Sequence, residues 1–352
     1  MEEEVENIIS RMTLPELKKL KDSIDVLIES KKCSRKTNLE YLEKQEPKFS
    51  CPNDKNHRVK RNGHKNGAQR YWCHDCRESF TITNKKIIKS STLNYKQLKI
   101  LLQCMYDYKS LKETALEVGI SETSIHELQI KIFEALDQIH NNINLKEEIQ
   151  VDEKYIRTSF KGFKTENMPR PSRHDGHTNL TSGISNDQLC VIAAIDSYDT
   201  LIITVVGTGT ASTEMISTAL KNKIDKGSIL ITDSKSSYIE FAKENGLKLI
   251  QIPSGEHKKG NYTINDINEI MTEISLYLYK KRGVSSRHLQ HHMNFIRYRK
   301  IIKYTIEYLE INEAMYADSL KINIKSRSND VYTTDMPFDI EEYKKWYFDH
   351  HK

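Results

Sequence analysis

Apolar residues recur along the chain in two rhythms, and the change between them divides it. Leu17, Leu20, Ile24, Leu27 and Ile28 share a face at helical spacing. The preceding Thr13-Leu14-Pro15-Glu16 is a start signal: Thr13 can cap exposed backbone N–H groups, Pro15 suits an early helical position, and Glu16 lies three residues past the cap. A helix is predicted from about residue 14 to 31, with a face for packing or for pairing with another chain. Helical rhythm returns between residues 94 and 139. There Leu111, Ala115 and Val118 share one face, Gly119 breaks the run, Ile120-Ser121 crosses over, and Ile125, Leu128 and Ile132 resume the apolar face. Two short helices about a glycine match a helix-turn-helix, whose second helix would present Thr123, Ser124, His126, Glu127 and Lys131 to a groove. An ordinary helical hairpin is the alternative.

From residue 149 the pattern changes to short runs rich in Ile and Val. Strands are predicted over 149–156, 189–196, 201–206, 228–232 and 248–252, with helices over 211–223 and 235–245. Three strands followed by helix, strand, helix and strand predict a mixed sheet covered by helices. Residues 159–188 interrupt this order with a polar segment carrying Arg170, Arg173, His174 and His177, either a disordered excursion or a loop near the working face. Helices are expected over 264–281 and from Ser286 to about Leu309, and then a charged, aromatic tail suited to packing or partner binding.

Composition narrows the class. The 352 residues are 37% hydrophobic and 29% charged, enough to build cores and sized for two or three domains. No run approaches the roughly 18–20 apolar residues that span a bilayer. The start, Met1-Glu2-Glu3-Glu4, is opposite in charge to a secretory signal, so a cytoplasmic protein with no membrane partner is expected. Between Lys48 and Lys99 lie 13 Lys and Arg against 3 Asp and Glu, a local charge of +10 in a chain whose total is +5. Charge concentrated in this way attracts polyanions.

That basic segment also carries metal-site spacing. Cys51-Pro52-Asn53-Asp54 and Cys73-His74-Asp75-Cys76 form two knuckles about 20 residues apart, as in a zinc ribbon, where a metal replaces the core that so small a unit lacks. The first knuckle has Asp54 where a second cysteine is expected. The candidate zinc ligands are therefore Cys51, Asp54, Cys73 and Cys76, with His57 or His64 as alternatives for the fourth position and a metal-free ribbon as the contrary reading. Arg58, Lys60, Arg61, Lys65 and Arg70, beside Tyr71 and Trp72, supply phosphate-neutralising and stacking groups in either case.

Carboxylates mark the sheet. Asp152 sits inside a predicted strand, where it needs solvent, a hydrogen-bond partner or a cation. Asp233 ends another strand beside Ser234 and Lys235; it could also cap the helix that follows. If those strands are neighbours their carboxylates meet, an arrangement that divalent cations make favourable. Asp196 is a further acid on the sheet. Glu153 competes with Asp152, and strand alternation leaves only one of that pair to face the site.

Taken in order, several blocks resemble insertion-sequence transposases of the DD(E/N) type with an N-terminal zinc ribbon and a ribonuclease H-like catalytic domain. They are Gln69 to Cys76 followed by Ser79-Phe80-Thr81; Val151-Asp152-Glu153-Lys154-Tyr155; Ser182 to Ser185 leading to Cys190 to Asp196; Ile231-Thr232-Asp233-Ser234; Tyr262 to Asn268; and Gly283 to Leu289. The resemblance covers roughly residues 45–300. It implies an α/β fold, a ribonuclease H-like mixed sheet with flanking helices preceded by a zinc ribbon-like unit and a helix-turn-helix. The expected organisation is an N-terminal helical segment over 1–45, the ribbon-like unit over 46–85, the helix-turn-helix over 90–142, the catalytic domain over 146–310 and the tail over 311–352.

By the same resemblance Asp152, Asp233 and Asn268 form the catalytic, metal-binding trio for two Mg²⁺ or Mn²⁺ ions, with Asn268 offering a neutral amide oxygen where relatives commonly have Glu, and Glu269 as its rival. Metal-dependent cleavage and strand transfer at insertion-sequence ends would follow. Lys154, Lys235, Lys258 and Lys259 are candidates for countering phosphate charge. Expected partners are double-stranded DNA with terminal inverted repeats, target DNA and further copies of the chain. A catalytically inactive DNA-binding protein derived from a transposase is the principal alternative, and a metal-dependent nuclease without strand joining is the third reading.

Overall fold

The computed structural model describes residues 50–65, 68–83, 93–138, 143–163, 168–171, 183–253, 255–305, 311–321 and 334–350, together with residues 12, 13, 16, 17 and 21. The helix expected over 14–31 lies outside these residues except at its start. There the Thr13 backbone N–H and hydroxyl both donate to the Glu16 carboxylate at 2.8 Å, and the Leu17 N–H donates to the Thr13 carbonyl. Arg173, His174 and His177 also lie outside.

Two compact units are present, residues 1–135 with 306–325 and residues 136–305 with 326–352. The first opens on a three-stranded antiparallel sheet, β1 (Val59–Lys65), β2 (Ala68–Cys73) and β3 (Glu78–Thr81). Among the described residues its buried core cluster is Cys51, Cys73 and Phe80, with Val59, Tyr71 and Cys76 packed against it. So small a cluster cannot offset the entropy of ordering the segment without a cross-link or a metal.

Helices α1 (Tyr95–Tyr106), α2 (Leu111–Val118) and α3 (Glu122–Asp137) follow. Asn94 with Gln97, and Ser110 with Glu113, form reciprocal capping boxes that start α1 and α2. Gly119 ends α2 at φ 78°, a left-handed conformation that lets its N–H reach the Ala115 carbonyl, and α3 starts three residues later. The glycine turn read in the sequence is thus a real stop signal, and Val118, Ile125, Leu128 and Ile132 are buried on the faces it joins.

The second unit is built on β4 (Glu148–Arg157), β5 (Gln188–Asp196), β6 (Leu201–Thr208), α4 (Thr213–Leu220), β7 (Ile229–Thr232), α5 (Ser237–Asn245) and β8 (Lys248–Gln251). The sheet order is β6-β5-β4-β7-β8; β6, β5 and β4 pair antiparallel, whereas β4, β7 and β8 pair parallel. The parallel pairs require crossovers, and α4 and α5 provide them. Ile149 and Val151 of β4 pack with Cys190, Ile192 and Ala194 of β5 and with Ile216, Leu220, Tyr238 and Phe241 of the crossover helices. The opposite face, carrying Gln150 and Asp152, receives α6 (Asn265–Lys280), which follows a small hairpin of β9 (Lys258–Lys259) and β10 (Tyr262–Thr263).

Past α6, Ser286–His288 is a 3-10 turn and α7 (Leu289–Thr305) packs along β6. Gln290 accepts from the Val205 N–H and donates to the Ile203 carbonyl, satisfying part of the edge of β6. The expected helix over 286–309 is therefore a 3-10 turn joined to a helix described as far as Thr305; residues 306–310 lie outside the described residues. Helix α8 (Ile311–Lys321) belongs to the first unit, where Tyr316 meets Tyr95 edge-on at 4.9 Å. Helix α9 (Ile340–His350) belongs to the second: buried Tyr343 donates to Asp187, which also accepts from Thr158. Arg170, in the segment read as either a disordered excursion or a loop near the working face, is 6% exposed and lies 3.7 Å from the same carboxylate. It anchors its segment inward.

Replacing Gly119 with alanine is expected to cost about 1 kcal/mol, because a Cβ disfavours the left-handed conformation. A lower denaturant midpoint of the full chain with an unchanged slope would record it.

Candidate active site and metal-binding clusters

The parallel pairing of β4 and β7 sets the geometry. Gln150 lies opposite Ile231, so the same register carried two residues further brings Asp152 level with Asp233, the first residue beyond β7. Carboxylate oxygens of Asp152, Glu153 and Asp233 all lie within 4.8 Å of one another. The expectation that alternation would leave only Asp152 or Glu153 at the site is corrected here. Their side chains leave opposite faces of β4, but β7 has ended at Thr232 and β4 continues to Arg157. At that unpaired edge both carboxylates can approach Asp233.

The loop bearing Asp233 is held on several sides. Gln251 of β8 donates to the Asp233 and Lys235 carbonyls at 3.2 and 2.9 Å, and the Thr232 hydroxyl donates to the Asp233 carbonyl at 2.8 Å. Asp233 does not cap α5: its side chain accepts the Lys235 N–H at 3.3 Å, and the helix begins at Ser237 without a side-chain cap. The Lys235 ammonium contacts Glu153, lies 3.5 Å from the Asp233 carboxylate, and sits 5.4 Å from the Tyr155 ring centre. Burial opposes its charge, but the Glu153 carboxylate outweighs burial and holds Lys235 above its ordinary range.

Burial pushes Asp152 up to about 6; the charges of Glu153 and Asp233 add to the rise, while the Glu153 N–H at 2.8 Å and Lys235 oppose it. A cluster of this kind is unfavourable when ionised and unbridged. Its all-oxygen donor set and separations suit a hard divalent cation.

Asn268 is half-buried near the start of α6, and its amide has no hydrogen bond among the described residues. The start of that helix is fixed from the sheet. Ile264 offers no side-chain cap; instead Gln150 accepts from the Asp266 and Ile267 N–H groups, each at 3.1 Å, and donates to the Asp266 carboxylate at 2.6 Å. Gln150 and Asp152 share one face of β4, so the same strand that carries Asp152 anchors the helix that carries Asn268. Glu269 is exposed. Asp196 is spent structurally: its oxygens accept from Lys146, Tyr198 and Thr200 N–H groups at 2.9 to 3.0 Å.

The cysteines form the second cluster. Cys51, His57, Cys73 and Cys76 place their donor atoms within 4.8 Å of one another. Cys51 and Cys76 sulfurs are 3.7 Å apart, and His57 Nδ1 lies 3.2 Å from Cys76 and 3.7 Å from Cys73. A tetrahedral zinc with bonds of about 2.3 Å to sulfur and 2.0 Å to nitrogen would set such atoms roughly 3.5–3.8 Å apart. Asp54, taken from the sequence as the fourth ligand, is not part of the set. It accepts the Asn56 N–H at 2.9 Å, and its other oxygen lies 3.9 Å from His57 Nε2, on the far side of the ring from the sulfurs. Asp54 lies beside the ligand that replaces it, beyond hydrogen-bond distance. His64 is exposed on β1. Burial disfavours the Cys51 thiolate, but the Asn53 and Asp54 backbone donors more than offset this and lower its pKa.

The basic groups of the ribbon differ in availability. Lys60, Arg61 and Lys65 are exposed on β1; Arg58 is paired with Asp75 at 3.2 Å, and Arg70 donates to the Asn62 carbonyl at 2.7 Å. On α3, Thr123 and Ser124 are exposed, although the Ser124 hydroxyl meets Ser121 at 2.9 Å. Burial lowers the pKa of His126, which favours a neutral ring. Lys258 and Lys259 are exposed on β9.

The raised Asp152 pKa has a sign that can be checked. Because the folded state holds this proton more tightly than the unfolded chain, the group's contribution favours folding in acid and is lost as pH rises through about 6. Without added Mg²⁺ or Mn²⁺, Asp152→Asn is expected to raise the melting temperature at pH 8, by a gain on the order of 1–2 kcal/mol, and to lose that advantage toward pH 4. Thermal melts across that range measure it.

Among the described residues, no helix is long and apolar enough to cross a membrane. A search of curated proteins finds no match. Among solved structures, a pre-cleavage Mos1 transpososome is 10% identical over 64% of this chain and 79% of that one, with a TM-score of 0.25. A simian T-cell lymphotropic virus intasome with PP2A regulatory subunit B56 gamma is 9% identical over 60% and 74%, at 0.28, and a Drosophila P element transposase strand transfer complex is 10% identical over 66% of each, at 0.25. Likenesses so remote carry no argument about chemistry. The family model that matches is the ISXO2-like transposase domain, over residues 144–300, the segment that holds the whole of the β4-to-β8 sheet and α6. With its ribonuclease H-like sheet, its acidic cluster and the Cys/His cluster that precedes it, the chain carries an ISXO2-like transposase domain of the DDE type, the catalytic domain of an enzyme of metal-dependent polynucleotidyl transfer.

Proposed function

We propose that this chain cuts DNA at the ends of an insertion sequence and joins those ends to target DNA, with Asp152, Asp233 and Asn268 as its catalytic, metal-binding trio. The observation that carries the reading is the convergence of the Asp152 and Asp233 carboxylates at the end of β7. Two Mg²⁺ or Mn²⁺ ions held there supply Lewis-acid activation of the phosphodiester and of the attacking water or 3′-hydroxyl. Asp152 and Asp233 provide the anionic oxygens, and Asn268 adds one neutral amide oxygen. Lys235 supplies a positive charge beside them, while Lys258 and Lys259 meet phosphates at the solvent side. Both steps are in-line attacks at phosphorus, so one constellation serves cleavage and joining without a covalent enzyme intermediate.

A zinc ion held by Cys51, His57, Cys73 and Cys76 would staple the basic sheet, leaving Lys60, Arg61 and Lys65 to neutralise phosphates with Arg58 and Arg70 beside them. Thr123, Ser124 and His126 on α3 would contact base edges in a groove. Joining two element ends to one target requires at least two copies of the chain on the DNA.

The neutral Asn268 favours a second reading, a DNA-binding descendant that no longer cuts. One assay separates them: a labelled duplex bearing the terminal repeat from DNA flanking its own coding sequence, target DNA, and Mg²⁺ or Mn²⁺. Joined product is expected from the wild type. Asp152→Asn and Asp233→Asn should each lower it by about 100-fold or more, the scale of losing one preorganised electrostatic group, with DNA binding intact. Asn268→Ala should lower it less. A metal-independent mobility shift without cleavage would establish the second reading, and cleavage without joining would make the protein a nuclease. Elemental analysis is expected to find about one zinc per chain, lost in Cys73→Ser together with repeat binding.

A further inference from the structure

We propose that Glu153 is a third anionic ligand of the divalent-cation site and that Lys235 is its exchangeable counter-ion, occupying the carboxylate until a cation arrives. This rests on the reading that Asp152 and Asp233 bind that cation, and it adds a residue the trio lacks. The Glu153 side chain is 0% exposed, an environment in which an ionised carboxylate must be compensated. One of its oxygens is met by the Lys235 ammonium; the other, Oε1, is buried without a hydrogen-bond partner in the structure as described. A carboxylate that served only to pair with a lysine would gain from a donor on that second oxygen. Here the neighbouring hydroxyl is that of buried Tyr238, which burial and the Glu153 carboxylate hold well above its ordinary range and which makes no hydrogen bond of good geometry, and a Glu153 oxygen lies within 4.8 Å of oxygens from both Asp152 and Asp233.

The partner is placed to leave. Lys235 remains 29% exposed and carries its charge on a flexible four-carbon stem, so the ammonium can turn outward without unfolding the loop that Gln251 pins. The exchange brings the cluster closer to neutral, from two net negative charges to one. Three carboxylates with one ammonium carry two net negative charges, and a divalent cation entering as the ammonium departs meets three. Asn268 brings no charge to the site, so Glu153 supplies the anionic oxygen that a neutral amide cannot. The displaced Lys235 would face solvent beside the cation, where phosphate would meet it.

The test is Mn²⁺ titration of the zinc-loaded full chain without DNA, followed by the electron paramagnetic resonance signal of free Mn²⁺. Lys235→Met should bind Mn²⁺ several-fold more tightly than the wild type, because the competing charge is gone. Adding Glu153→Gln to that variant should weaken binding at least tenfold relative to Lys235→Met alone. Equal affinity of the single and double variants would overturn the proposal and leave Glu153 as a structural partner only. Asp152→Asn separates the two layers: if it binds Mn²⁺ like the wild type, the underlying assignment of the site has failed. A second measurement needs no substitution. The rate of amine modification of Lys235 in the wild-type protein, read by mass spectrometry, should rise several-fold on adding Mn²⁺, and an unchanged rate would equally overturn the exchange.

Discussion

The parallel pairing of β4 with β7 is the constraint on which the catalytic half depends. It sets Asp152 level with Asp233 across more than eighty residues of chain, and because β7 stops at Thr232 it leaves an open edge where carboxylates can gather. The apolar burial of Ile149, Val151, Leu230 and Ile231 holds that register. A slip of one residue would turn Asp152 toward the α4 and α5 side and bury it among aliphatic side chains. Sheet stability and site geometry are therefore the same property of these two strands.

Around that pairing, polar side chains do work that apolar packing cannot. Gln150 satisfies the first N–H groups of a helix that lacks its own cap, and Gln251 ties down the loop after β7. Both are strand residues whose amides reach out of the sheet to fix a neighbouring element. They convert a stable sheet into a positioned set of ligands, since a carboxylate misplaced by an ångström loses much of its value to a cation. The first unit solves its problem differently. Its ribbon buries a small core among the described residues, and its Cys/His cluster has the donor set for a metal cross-link beneath a strongly basic surface.

Local features of the chain were legible from the residues themselves. Runs rich in Ile and Val marked all five strands of the main sheet to within two residues, and Gly119 ends a helix where the apolar pattern broke. Asp152 and Asp233 stood out as acids in strands that otherwise repel charge. Other readings failed for one shared reason. Asp54 occupied the sequence position of a missing cysteine, yet His57, three residues on, has the reach and the soft nitrogen to meet three sulfurs. Glu153 was set aside because alternation sends it to the face opposite Asp152, yet beyond the end of β7 both approach Asp233. Nothing in the sequence distinguished Gln150 or Gln251 from any surface glutamine.

What the sequence determined by itself is whatever depends on neighbours along the chain: strand and helix positions, the glycine turn, the basic segment, and the acids that carry the chemistry. Tertiary structure alone decided which strands lie side by side, which histidine turns toward the cysteines, how Lys235 is shared among carboxylates, and which glutamine starts a helix more than a hundred residues away. Periodicity records the face a residue presents. Distances between elements remote in sequence are set by packing, and a ligand set is a matter of those distances.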